Sequence, residues 1–152
     1  AQRELEATLS SLDDTTTFDV FIYRYPSVYP PKPRMVRALG RLEKASASKV
    51  KKASRWLAGE PAKGWGAFYD GLAALAASEV DTVYFLSDGR PSRGTYDRDF
   101  RLLDAFERLN RYRRLTVHTV LVGRAKADRD FLQDLARRTG GLFVDGTTSR
   151  AP

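Results

Sequence analysis

Apolar positions recur along this chain in two alternating rhythms. Leu5, Leu9 and Leu12 fall at helical spacing, with Glu4 and Glu6 near the start, so residues 2–12 read as an amphipathic helix that Asp13, Asp14 and Thr15 break. Residues 18–25 follow as a strand, because Phe18, Val20 and Ile22 alternate with Asp19, Phe21 and Tyr23 in a β-favouring run. Pro26, Pro30, Pro31 and Pro33 end it, since proline cannot donate to a ladder, and leave at most a short edge strand over 34–39.

Ser46 or Ser48 can cap a helix running to about Ala58, with Ala47, Val50, Ala53 and Leu57 as a narrow apolar stripe. A glycine-rich turn, Gly64-Trp65-Gly66, leads to a helix over 67–77 with Phe68, Leu72 and Leu75 inward. Residues 80–86 are short, β-branched and aromatic, and run into Ser87-Asp88-Gly89 with Pro91 close behind: a buried strand ending in a turn. Asp97 or Thr95 then opens a long helix to about Arg113, with Phe100, Leu103, Phe106 and Leu109 or Leu102 buried. Residues 115–122 form another apolar strand closed by Gly123; Asp128 caps a helix to Arg138; Gly140 and Gly141 stop it; residues 142–144 are a last short strand.

Helices alternating with apolar strands predict a mostly parallel sheet with right-handed crossovers and helices on both faces. The chain of 152 residues is the size of one domain, over 1–145, with residues 146–152 as a linker or frayed tail. Neither a membrane span nor a signal-peptide pattern is visible, and the absence of cysteine excludes disulfides, thiolate metal sites and a cysteine nucleophile.

Charge is unevenly placed. Between Lys32 and Lys63 ten Lys/Arg face two acids, a net of +8, so the remainder of a chain with total charge +7 carries −1. Lys49, Lys51, Lys52 and Arg55 lie on the helix begun at Ser46. Such a segment is a solvated face or a surface for nucleic acid, an anionic membrane or an acidic protein. No aromatic-rich pattern for stacking bases accompanies it.

Asp88 sits at the carboxyl end of a predicted strand, the edge where open parallel sheets bind ligands. Its alternative is a turn role, with the side chain bonding nearby amides. His118 lies inside a predicted strand and reads as a strand residue rather than a general base. Asp97 with Asp99, and Asp128 with Asp130, read as dipole-complementing residues at helix starts. Gly64-Trp65-Gly66 lacks the spacing and lysine of a phosphate loop, so Trp65 is assigned to packing at the loop rim. A hydrolase using Asp88 lacks a second acid or base, and the chain is read as non-enzymatic.

The order of these segments resembles a von Willebrand factor type A domain of the bacterial kind. The matching stretches are residues 4–23, Gly64-Trp65-Gly66-Ala67-Phe68-Tyr69-Asp70-Gly71-Leu72, and Phe85-Leu86-Ser87-Asp88-Gly89-Arg90-Pro91. They continue through Leu109-Asn110, Val117-His118-Thr119-Val120, Phe131-Leu132, Leu135-Ala136 and Thr139-Gly140-Gly141. The resemblance implies a three-layer Rossmann-like fold with an antiparallel edge strand, and a protein-interaction function at a metal-ion-dependent adhesion site. There Mg²⁺, which prefers six oxygens, leaves one position for an acidic residue of a protein partner. Asp88 matches the family's third-loop aspartate, with Ser87, Gly66, Trp65 and Arg90 on the partner-binding rim. Gly66 stands where the family has a threonine, and the first strand with its Asp-x-Ser-x-Ser loop has no counterpart, so the site is degenerate or incomplete. The expectation is an N-terminally truncated domain of a larger multidomain protein; a sheet lacking its central strand would instead expose apolar edges on two neighbours. Anion or nucleic-acid binding through residues 32–63 is the alternative function.

Overall fold

The structure, a computed structural model, describes residues 2–24, 34–61, 66–88, 91, 94–122 and 126–146, without the side chains of 2–4, 24, 34 and 126–128. It is a mixed α/β fold. In chain order the elements are α1 (Gln2–Ser10), β1 (Thr17–Phe18), β2 (Phe21–Arg24), β3 (Arg34–Arg37), β4 (Glu43–Lys44), α2 (Ala47–Gly59) and α3 (Phe68–Ala76). They continue with β5 (Thr82–Ser87), α4 (Asp99–Arg113), β6 (Thr116–Leu121), α5 (Lys126–Arg138) and β7 (Phe143–Asp145).

The alternation of β5, α4, β6, α5 and β7 produces the expected parallel sheet, three-stranded in the order β5-β6-β7. Val83 lies opposite Val117, Ser87 opposite Leu121, and Leu121 opposite Asp145. Because side chains alternate along a strand, Val83, Phe85, Val117 and Leu121 share one face. They join Leu72 and Leu75 of α3, Leu102, Leu103 and Phe106 of α4, and Phe131, Leu132 and Leu135 of α5 in one apolar cluster. Among the described residues α3, α4 and α5 all pack into this cluster. On the other face Val120 is buried, whereas Tyr84 and Val144 are 47% and 46% exposed, and Tyr84 stacks on His118 with ring centroids 4.9 Å apart.

Among the described residues β5 is bonded to β6 alone and so lies at an edge of this sheet. The remaining strands form two antiparallel pairs, β2 with β3 and β1 with β4. The anticipated edge strand is thus β3, whereas β4 carried no strand signal. The single strand expected over 18–25 is broken at Asp19 and Val20. There the Asp19 carboxylate accepts hydrogen bonds from the Val20 and Leu39 amides at 2.7 and 2.9 Å and pairs with Arg37 at 2.8 Å, drawing the chain out of the ladder. Leu9, Phe18, Val20, Ala45 and Ala53 form a second buried cluster, against which Leu5, Leu12, Val50 and Trp56 pack. Phe21 of β2 belongs instead with the first cluster, and a β-carbon at Gly71 of α3 would lie 3.1 Å from Tyr23. Strand β2 therefore runs beside α3.

Three boundary details differ from expectation for local reasons. Ala47 is exposed because it opens α2, whose cap is Ser46 accepting the Lys49 amide at 3.4 Å. Helix α4 starts after Arg98 with no side-chain cap, because Thr95 is bonded to Asp70 instead; its inner face is Leu102, Leu103, Phe106 and Asn110, leaving Phe100 58% exposed. Helix α5 begins at Lys126, so Asp128 lies in its first turn rather than at its cap.

Candidate functional site

The carboxyl ends of β5, β6 and β7 bring three segments together. Ser87 closes β5 and is buried, and its carbonyl accepts the Val122 amide at 2.9 Å; Gly146, after β7, donates to Leu121 O at 2.9 Å. Asp88 follows Ser87 at this edge with an exposed side chain. Among the described residues its carboxylate makes no hydrogen bond or ion pair; Gly89 and Arg90, whose amides a turn aspartate would cap, lie outside them. Ser87 is engaged with its surroundings.

The start of α3 lies beside this edge. Phe68 packs edge-on against Phe85, centroids 5.0 Å apart, and reaches Phe131 at 6.0 Å. Gly66 rests on the same ring: a β-carbon there would come within 2.5 Å of Phe68 Cε1. The segment following Asp88 returns to α3 at Thr95, whose amide and hydroxyl donate to the Asp70 carboxylate at 2.9 and 2.5 Å. Tyr96 meets the Tyr69 ring edge-on at 4.6 Å, and burial, with Tyr96 and Asp70 beside it, raises the Tyr69 pKa. Two of the expected rim positions, Gly66 and Ser87, thus sit around one aromatic cluster with Asp88 at its edge. Trp65 and Arg90 lie outside the described residues.

Two carboxylates near these loops were not singled out from sequence. Asp70 is one, held by Thr95. Asp145 is the other; it ends β7 and pairs with Arg129, which also lies 5.8 Å over the Phe143 ring. The signal for Asp145, an acid closing a short strand, was visible in the same form as for Asp88.

Among the described residues the donor set does not fit Mg²⁺. Asp70 is committed to Thr95 and Asp145 to Arg129, and Gly66 brings no side-chain oxygen. Among the described residues no group of three or more His, Cys, Asp or Glu is placed to hold a metal ion. Asp88 remains as an open carboxylate without companion ligands among the described residues. His118 accepts the Leu142 amide on Nδ1 at 3.1 Å, as a half-buried strand residue would. Asp97 is exposed and Asp99 opens α4.

The basic segment lies elsewhere. Lys51, Lys52 and Arg55 are exposed on α2, whereas Lys49 and Arg41 share Glu43 at 3.4 and 2.9 Å. Arg41 and then Lys49 hold the Glu43 carboxyl below its ordinary pKa. Among the described residues no helix is long and apolar enough to cross a membrane. No protein-family model matches the chain, and no curated protein sequence matches it.

Proposed function

We propose that this chain is a non-enzymatic protein-interaction domain of the von Willebrand factor type A kind, which engages its partner at the edge around Asp88. The observation that carries the reading is the parallel β5-β6-β7 sheet with an open carboxylate immediately beyond β5. That edge is where loops converge and where open α/β sheets bind their ligands. The antiparallel hairpin β2-β3 and the parallel sheet form separate sheets, yet Phe21 of β2 and Val83 of β5 meet one cluster with α3. Two open-edged sheets sharing one core are what a sheet without its central strand would leave. This supports the resemblance beyond its sequence motifs.

Binding is assigned to protein groups rather than to a metal bridge, because the described residues supply no ligand set. Asp88 offers an acceptor for an arginine, lysine or backbone amide of the partner, with Gly66 on the adjoining rim and Ser87 buried at the end of β5. A partner co-purified from the native source provides the test, with affinity measured for the unmodified domain and for Asp88→Ala, each with and without EDTA. The reading expects weaker binding in the variant and no effect of EDTA. Unchanged affinity in Asp88→Ala would remove this edge from the interface.

A further inference from the structure

A second surface lies on α2, apart from the Asp88 edge. The helix contains Lys49, Lys51, Lys52 and Arg55 and no acid. Glu43 engages Lys49, but no acidic side chain pairs with Lys51, Lys52 or Arg55 among the described residues. Lys51 and Arg55 are one turn apart on one face, separated along the axis by about 6 Å at ~1.5 Å per residue. Like charges at this spacing repel. The lysines also crowd the first half of the helix, whose dipole disfavours cations. Both penalties are relieved when anionic groups approach this face.

Beside it, at the seam of α1 and α2, lies an open cleft of about 490 Å³. This is within the usual size of binding clefts, about 300–1,000 Å³. Leu9, Leu12, Ala45 and Val50 give it an aliphatic lining, and Ala47 and Lys51 stand on the α2 side. Ser10, Asp14 and Ser46 also line the cleft, so an incoming carboxylate is repelled by Asp14 and drawn to Lys51. An aliphatic cleft next to a row of cations is complementary to an amphipathic segment with aliphatic anchors and carboxylates on its flank. Nucleic acid fits less well: its bases have no aliphatic anchor, and Trp56, the aromatic residue of α2, is half-buried in the second core cluster instead of forming a stacking platform.

From these two features we infer that the α1–α2 seam docks an acidic, aliphatic-anchored peptide segment of a protein partner. The test uses fluorescence anisotropy with three labelled probes: an amphipathic Glu/Leu peptide, the same peptide with every Leu replaced by Ser, and an oligothymidylate of equal charge. The Glu/Leu peptide is expected to bind at least about tenfold more tightly than either other probe. Lys51→Glu with Lys52→Glu should weaken it about tenfold or more through lost charge complementarity. Ala47→Phe, at an exposed position beside the cleft, should weaken it by filling the space while leaving the charges intact. Circular dichroism melts establish that both variants are folded. Equal binding of the Ser peptide, equal binding of the oligothymidylate, indifference to either variant, or no binding of the Glu/Leu peptide would each overturn the assignment.

Discussion

Asn110 shows how the turn that aims β6 is held. Its Nδ2 donates to Leu115 O at 2.8 Å and its Oδ1 accepts the Leu115 amide at 2.7 Å, so one side chain satisfies both backbone groups of the residue entering β6. Asn110 is 8% and Leu115 1% exposed, and Arg114 between them takes a left-handed conformation at φ 53. In Asn110→Ala both groups of Leu115 lose their partner away from water, at about 1–3 kcal/mol each. Alanine's better helix propensity returns roughly 0.5 kcal/mol. The net loss is about 1.5–5.5 kcal/mol, a large share of the ~5–15 kcal/mol typical of a domain. At ~2–4 °C per kcal/mol for this size, the midpoint should fall by roughly 3–20 °C. Urea unfolding measures the free energy, and amide hydrogen exchange at Leu115 reports the local effect. A loss below about 1 kcal/mol, or a Leu115 amide as protected as in the unmodified protein, would refute the clamp.

Other expectations follow from the same geometry. A β-carbon at Gly141 would overlap the Val117 carbonyl oxygen and lie 2.5 Å from its carbon. Gly141→Ala should therefore cost more than about 3 kcal/mol, because backbone cannot yield as a side chain can. Gly140 faces open space at φ +71, so Gly140→Ala should cost only about 1–2 kcal/mol; thermal melts giving the reverse order would contradict this packing. On the acid side, the Asp13 carboxyl is held below its ordinary pKa by Thr15 and Thr16. For Asp134, burial acts upward but the hydrogen bonds of Arg137 and Arg138 outweigh it, and the pKa is again lowered. A carboxyl whose folded pKa is depressed binds its proton more readily when unfolded. Its contribution is thus complete above the ordinary carboxylate range near pH ~4 and fades as pH falls through the folded values. Unfolding free energy should be flat from neutrality to about pH 5 and decline below it; a decline that begins near neutrality would point to other groups.

What could be read from sequence was whatever local chemistry decides. The apolar run ending at Ser87, the Ser46 cap and the Gly140 stop each depend on a few neighbouring residues, and the structure has them. What could not be read depends on partners far along the chain. Thr95 looked like a helix cap because its partner, Asp70, is 25 positions away. Arg113 ends α4 as expected, but its side chain also donates to the carbonyls of Ala76, Ser78 and Val80, tying the end of α3 and the approach to β5 to α4. The break at Asp19 likewise needed Arg37 and Leu39 in place. Around Asp88 the sequence pointed to the edge and to four rim neighbours, of which Ser87 and Gly66 are among the described residues. That Asp70 and Asp145 are already occupied emerged only from their pairing with Thr95 and Arg129.

The most direct measurement is site-specific photocrosslinking in the native source, with a photoreactive residue at position 88 and, as control, at exposed Arg111 on α4. The account predicts a discrete protein adduct from position 88, unchanged by EDTA, and none from position 111. Adducts of equal yield from both positions, or none from position 88, would contradict the assignment of the partner to this edge.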